Sequence, residues 1–166
     1  MPADVTASIE LSYFVSYAHD DDRPKRNLLK RLEVRLAIAK GYRVQSWDDR
    51  RLLVGEEWFA GIMEAIAKCD FGLLLLSPAF FASPFIRNHE LPRLLAEKRL
   101  IPVALRPLPL DGSADLAGVE ALQIFPYPFG KPFSERRSDS EKDRFADELF
   151  AQIIQVVRRD ILPKRP

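Results

Sequence analysis

The chain alternates short apolar segments, typical of strands, with longer segments whose apolar residues recur at helical spacing. Residues 11–17 are rich in β-branched and aromatic side chains and predict a first strand. After it, apolar residues lie on one face at three- and four-residue spacing, at Leu28, Leu29, Leu32, Leu36 and Ala39. This pattern predicts a helix that starts near Pro24, a residue suited to a first helical turn, and ends at Gly41.

The same alternation continues to the C-terminus. Residues 42–46 predict a second strand, and a second amphipathic helix follows with its apolar face at Trp58, Ile62, Ala65, Ile66 and Cys69. Residues 71–76 are apolar without alternation, as in a strand covered on both faces. Residues 100–105 predict a fourth strand whose pairing starts after Pro102, because proline lacks a ladder donor. Residues 122–125 supply a short fifth strand, and the last helix carries Phe145, Leu149, Ile153, Val156 and Val157.

Strands that alternate with helices predict a parallel sheet with right-handed crossovers. The fold class expected is therefore α/β: a flavodoxin-like three-layer sandwich with a five-stranded parallel sheet in the order 2-1-3-4-5 and helices on both faces. In that order the switch point lies between strands 1 and 3, where ligands bind beyond the carboxyl ends of the strands.

Polar residues follow three of the predicted strands and should meet at that edge. Ser16, Tyr17 and His19 follow the first strand, and residues 47–57 follow the second. Ser77 ends the third strand, with Glu90 downstream on a short helix that Pro92 should interrupt. The residues between, including Phe80, Phe81 and Ser83, are predicted to form a loop.

Composition narrows the class of protein. The 166 residues carry a formal net charge of +1, which offers no bulk attraction for nucleic acid or an anionic membrane. Cys69 is the single cysteine, which fits a reducing compartment. No signal-like segment and no apolar run of about 20 residues is present, so the expected localisation is cytoplasmic. We expect an N-terminal extension at 1–9, one domain at 10–162, and a tail or linker start at 163–166. A sensor domain, either fused or separate, is an expected partner.

Taken together, these segments resemble the TIR (Toll/interleukin-1 receptor) domain family, especially its bacterial members. Phe14-Val15-Ser16-Tyr17 resembles the first box of the family, and Trp47-Asp48, Gly55 and Trp58 resemble its second-strand loop and the next helix. Leu76-Ser77-Pro78, Ser83 and Glu90-Leu91 resemble the strand and helix that hold a catalytic glutamate. One position departs from the pattern, because Ile86 stands where many members have tryptophan, with Phe85 beside it.

The resemblance implies an enzyme that cleaves NAD⁺ at the nicotinamide–ribose bond, as a hydrolase or a cyclase, with NAD⁺ as substrate and no cofactor or metal. It implies Glu90 as the catalytic residue and a substrate site drawn from residues after the strands: Ser16, Tyr17, His19, Trp47, Asp48, Arg51, Gly55, Phe81 and Ser83. It further implies activation by self-association, in a toxic or signalling effector of bacterial immunity. The alternative is a non-catalytic adaptor that acts through homotypic contacts, which Ile86 favours slightly.

Each candidate residue also has a plainer interpretation. The alternative for Glu90 is a solvated helix carboxylate, although the resemblance favours function. Trp58 is expected in the core, and Phe81 fits either the core or base stacking. Arg51 contacts either a phosphate or water.

Asp20, Asp21 and Asp22 are expected to cap the first helix rather than bind metal. They do not indicate a phosphorylated receiver, because Ser77 stands where a receiver needs an aspartate. The cationic run from Lys25 to Arg35 is either solvated or faces an acidic patch on another copy, and no aromatic residues interleave it as nucleic-acid binding would need.

Overall fold

Four parallel strands form the central sheet in the order β2-β1-β3-β4. The structure, a computed structural model, describes residues 7–47 and 58–166. The strands are β1 (Ile9–Ser16), β2 (Tyr42–Trp47), β3 (Phe71–Leu76) and β4 (Arg99–Ala104). The helices are α1 (Asp22–Leu36), α2 (Trp58–Lys68), α3 (Pro78–Ala82), α4 (Leu91–Glu97) and α5 (Asp139–Val156). A π-helical turn at Ile86–Glu90 leads into α4.

The sheet is covered on both faces, which confirms the α/β class and the layered arrangement. In β3 every residue is buried, and successive side chains point to opposite faces. Leu73 and Leu75 pack with α1 and α5, while Leu74 and Leu76 pack with α2, α3 and α4. The unbroken apolar run of β3 therefore follows from its central position in the sheet.

The predicted fifth strand is wrong. Residues 122–125 contribute one isolated bridge, in which Phe125 lies parallel to Val103 at the outer edge of β4. The order 2-1-3-4 is as expected, and the fifth position is held by this single bridge.

The expectation that β4 pairs only after Pro102 is also wrong. The ladder with β3 starts at Phe71 opposite Arg99 and includes Leu74 opposite Pro102. The carbonyl of Pro102 accepts a hydrogen bond from the N–H of Phe125 at 2.9 Å. The N–H and C=O of one residue in a parallel strand point to the same side, so the donor that Pro102 lacks would have faced this outer edge and not β3.

The helix boundaries differ from the sequence pattern at three places. The first helix ends at Leu36, and Gly41 lies instead in the turn before β2, with φ of +86°. Residues 78–82, expected as a loop, form the short helix α3, whose first turn is capped by the hydroxyl of Ser77. The expected interruption at Pro92 is absent, because the π turn at Ile86–Glu90 passes directly into α4 at Leu91.

Ion pairs join α1 to α5 along one side of the domain. Arg31 pairs with Asp139 at 2.8 Å and with Asp143 at 2.5 Å, and Arg35 pairs with Asp147 at 2.5 Å. Desolvation acts to lower the pKa of Arg31, but the hydrogen bonds and charges of Asp143 and Asp139 together raise it above its usual value. Two of the five cations that the sequence analysis placed on α1 therefore pair with α5.

Candidate functional site

A crevice of about 400 Å³ opens at the carboxyl edge of the sheet, beside the ends of β1 and β2. The loop after β1 forms one wall, and α2, α3 and the π turn form the others. Five residues predicted for the site line it: Tyr17, His19, Trp47, Ser83 and Glu90. The crevice lies at the switch point at which an open parallel sheet binds its ligands.

Glu90 is buried, and this corrects the expectation of a carboxylate exposed at the crevice. Glu90 is only 8% exposed, and its Oε2 accepts a hydrogen bond from Ser16 Oγ at 2.6 Å. Ser16 is the last residue of β1 and is 1% exposed. The sheet thus fixes the hydroxyl, and the hydroxyl orients the carboxylate against the crevice.

The π turn places Glu90 on the buried side of its helix. Pro92 has no N–H to donate to the preceding turn, and its ring disfavours normal α geometry there. The chain widens instead, with the N–H of Leu91 donating to the carbonyl of Ile86, five residues back. Ile86 and Glu90 are buried, whereas Asn88 and His89 face outward. Such π turns are frequent at functional sites.

Aromatic rings line the mouth of the crevice. Trp47 stacks on Phe14 with ring centroids 5.4 Å apart, and Trp58 lies 4.7 Å from Phe85. Trp58 is 46% exposed, so the prediction that it belongs to the core is wrong. Phe85 also contacts the imidazole of His89 at 5.3 Å. Trp58 and Phe85 therefore offer an exposed ring surface beside the buried carboxylate.

The loop after β1 is held by a buried ionic network that the sequence pattern did not indicate. Asp21 is 2% exposed and accepts hydrogen bonds from Ser77 Oγ and from Arg106 Nε, the latter at 2.6 Å. Asp21 makes no side-chain capping bond to α1, so the expected capping role is wrong for this residue. Asp22, in the first turn, pairs with Lys25 and Arg26. One hint of this pair was present in the sequence: Arg106 closely follows β4, and parallel strands β1 and β4 end at the same edge of the sheet.

On the outer side of the π turn, Arg87 links the turn to the loop that contains Asp115. Its guanidinium donates to Asp115 at 2.7 Å. The backbone N–H of Ala117 and then this guanidinium hold the pKa of Asp115 below its usual range. Glu90 is thus supported by Ser16 on the inner side of the turn and by an ion pair on the outer side.

The other predicted site residues have three different outcomes. Phe81 is 6% exposed and packs in the core against Phe80, and it does not line the crevice. The hydroxyl of Ser83 accepts a long hydrogen bond of 3.4 Å from the N–H of Ile86, which leaves it at the crevice wall. The predicted residues Asp48, Arg51 and Gly55 lie outside the described residues. Among residues 7–47 and 58–166, no three metal-ligating side chains cluster, and no helix is long and apolar enough to cross a membrane.

Comparison with known proteins agrees with this architecture. A sequence model of the TIR domain matches residues 14–135. The uncharacterized protein y4lF of Sinorhizobium fredii is 30% identical over 155 residues, which cover 89% of this chain. The match covers 42% of that relative, so the chain spans less than half of its length. The TIR domain of the Toll-related receptor TRR-2 from Hydra magnipapillata has the same fold at a TM-score of 0.56 and 19% identity, over 86% of this chain and 97% of that one. The chain belongs to the TIR domain family.

Proposed function

We propose that this domain cleaves NAD⁺ at the nicotinamide–ribose bond, with Glu90 as the catalytic residue. The observation that carries the proposal is the position of Glu90: a buried carboxylate, oriented by Ser16 at 2.6 Å, at the wall of an aromatic-lined crevice. The crevice volume of about 400 Å³ falls in the range of roughly 300–1,000 Å³ that small-molecule sites occupy.

The chemistry needs one well-placed negative charge. Nicotinamide leaves as a neutral molecule from a cationic ring, so no strong acid is required to protonate it. Positive charge then develops on the ribose, as in the oxocarbenium-like transition state of glycoside hydrolysis. A preorganised carboxylate in a partly dry site stabilises that charge more strongly than one in water.

Aromatic rings supply the binding surface in this proposal. Trp47 and Tyr17 lie at strand ends and line the crevice, where they are placed to stack on the bases of the dinucleotide. Trp58 and Phe85 provide a ring surface near Ile86, the position at which many members of the family carry a tryptophan. We assign the predicted residues His19 and Ser83 to the same pocket, and we keep Asp48, Arg51 and Gly55 as proposed contacts of the nucleotide.

A pair of matched variants tests the assignment of Glu90. Glu90→Gln keeps the shape of the side chain and an acceptor for Ser16, and it should lower nicotinamide release by on the order of a hundredfold or more. Glu97→Gln, which changes an exposed carboxylate that pairs with Arg93 along the surface of α4, should leave release unchanged. Circular dichroism checks that both variants fold. Equal release by Glu90→Gln and the parent would remove Glu90 from the mechanism.

The second candidate is a non-catalytic TIR adaptor, and Ile86 is the observation that favours it. Ile86 lines the crevice and is 3% exposed, so an aliphatic side chain stands where a stacking ring is usual in the family. An adaptor would release no nicotinamide at any protein concentration while still associating with itself. The same assay therefore separates the two candidates.

We propose that self-association controls the enzyme, which acts in the cytoplasm as an effector of bacterial immunity. A cell that carries an NAD⁺-cleaving domain needs it inactive at rest, so activity per molecule should rise with concentration or forced clustering. Specific activity that stays constant over a hundredfold concentration range, with a monomer throughout, would contradict this control.

A further inference from the structure

A second cavity lies on the opposite face of the sheet from the crevice. It measures about 250 Å³ and lies between α1 and the ends of β1 and β2; we call it the α1 cavity. Ser46 lines the α1 cavity, whereas its neighbour Trp47 lines the crevice, as expected for successive side chains of one strand. Val15 and Tyr17 line both cavities, so the two spaces lie on either side of the end of β1.

The charges around the α1 cavity are mostly positive. Lys25, Arg26 and Lys30 line it, with Glu33 as its acidic lining residue. Of the other cations of α1, Arg31 and Arg35 pair with aspartates of α5, and Arg23 does not line the cavity. Lys25 and Arg26 share a single carboxylate, Asp22, so the group around the cavity keeps a net positive charge.

Lys25 is the unusual member of this group because it is charged and 4% exposed. Its Nζ lies 4.1 Å from the centroid of the Tyr17 ring and 3.4 Å from Asp22 Oδ1. Within residues 7–47 and 58–166, Nζ makes no hydrogen bond beyond these two charge contacts. An ammonium has three donors, and an optimal ionic hydrogen bond is about 2.7–2.9 Å long. Lys25 thus holds donors in reserve at the wall of a cavity.

We propose that the α1 cavity binds a phosphate group, with Lys25 and Lys30 as its donors. Lysine binds phosphate as a point charge, and the three cations outnumber two carboxylates: Glu33 in the lining, and Asp22, which pairs with Lys25 and Arg26. The cavity suits a phosphate with an attached small group rather than a whole dinucleotide. A phosphate that draws the Lys25 ammonium away from the Tyr17 ring changes the environment of a residue that also lines the crevice. Binding here is therefore coupled to the crevice.

Inorganic pyrophosphate is the probe for this site, titrated calorimetrically into the protein at low ionic strength. Lys30→Met, which removes an exposed charge, and Lys25→Met, which keeps the apolar stem against Tyr17, should each weaken binding by about tenfold or more. Lys40→Met, an exposed lysine at the end of the α1–β2 turn, is the matched control and should bind like the parent. Glu33→Gln should strengthen binding, because it removes negative charge from the cavity wall. If Lys25 had only a structural role, affinity would not fall in Lys25→Met and Lys30→Met and rise in Glu33→Gln.

The phosphate has two sources that the titration can distinguish: the dinucleotide itself or a separate phosphorylated ligand. NAD⁺ is titrated into the Glu90→Gln protein with and without saturating pyrophosphate. Competition assigns the site to a phosphate of the dinucleotide, and simultaneous binding assigns it to a second ligand. No heat with millimolar pyrophosphate, or equal affinity in the parent, Lys25→Met and Lys30→Met proteins, overturns the proposal. These readouts do not depend on catalysis, so the site can fail while NAD⁺ cleavage stands, and the reverse.

Discussion

Ser16→Ala isolates the hydrogen bond on which the candidate site depends. The Ser16 hydroxyl donates to Glu90 at 2.6 Å, and the two residues are 1% and 8% exposed. Alanine fills almost the same space but leaves a buried carboxylate with one donor fewer, in a place where water has little access. Hydrogen bonds to charged groups contribute about 1.5–3 kcal/mol. We expect that loss in the free energy of unfolding, which corresponds to a fall in Tm of roughly 3–12 °C for a domain of this size.

Urea unfolding followed by circular dichroism measures this loss, with Ser140→Ala as the control. Ser140 is exposed in the first turn of α5, so its replacement should change stability by less than about 0.5 kcal/mol. Repeating Ser16→Ala in the Glu90→Gln background gives a double-mutant cycle. A neutral acceptor should reduce the cost to about 0.5–1.5 kcal/mol. A Ser16→Ala protein as stable as the parent, or an equal cost in both backgrounds, would refute the idea that this bond holds the carboxylate.

Three further predictions concern parts of the fold outside the crevice. Gly72→Ala should destabilise the domain by about 1–3 kcal/mol in the same unfolding assay, because a Cβ there would lie 2.9 Å from Leu100 Cδ2 and 3.0 Å from Leu94 Cδ2; unchanged stability would mean that the core adapts freely. Hydrogen bonds from Arg159 and then Arg99 lower the pKa of Asp160 to about 2, so its contribution to stability is present above the unfolded-state pKa near 3.8 and is lost as pH falls toward 2; an NMR titration of its carboxyl group with a midpoint near 4 would contradict this. Burial raises the pKa of the Cys69 thiol, which is 3% exposed, so a thiol reagent at pH 8 should react quickly only after unfolding in urea, and rapid reaction of the native protein would be inconsistent with that burial.

The layered sheet was predictable because burial leaves a period in the sequence. The unbroken apolar run of β3 and the helical spacing of Leu28, Leu32 and Leu36 state directly which residues face the core. The fifth strand was not predictable from residues 122–125. An apolar segment of strand length indicates burial, but a ladder also needs a matching neighbour, and here the chain meets β4 through one bridge.

The location of the site was predictable, whereas its internal contacts were not. Polar residues after parallel strands converge at one edge, and Tyr17, Trp47 and Glu90 do so. Asp21 looked like one of three helix-capping aspartates, but its buried carboxylate accepts a hydrogen bond from Arg106, 85 residues away. Trp58 lies on the apolar face of α2, yet it is 46% exposed at the crevice mouth. Periodicity assigns a face to a residue, but it does not show where the neighbouring elements stop covering that face.

The most direct test of the central claim is whether NAD⁺ occupies the crevice. The Glu90→Gln protein, labelled at isoleucine methyl groups, can be titrated with NAD⁺ without consuming it. Ile62 and Ile86 line the crevice, whereas Ile38 and Ile154 line a groove between the end of α1 and α5 and serve as internal controls. We predict saturable shifts of the Ile62 and Ile86 methyl resonances with those of Ile38 and Ile154 unmoved. Unperturbed crevice methyls at millimolar NAD⁺, or shifts confined to the groove, would contradict the account.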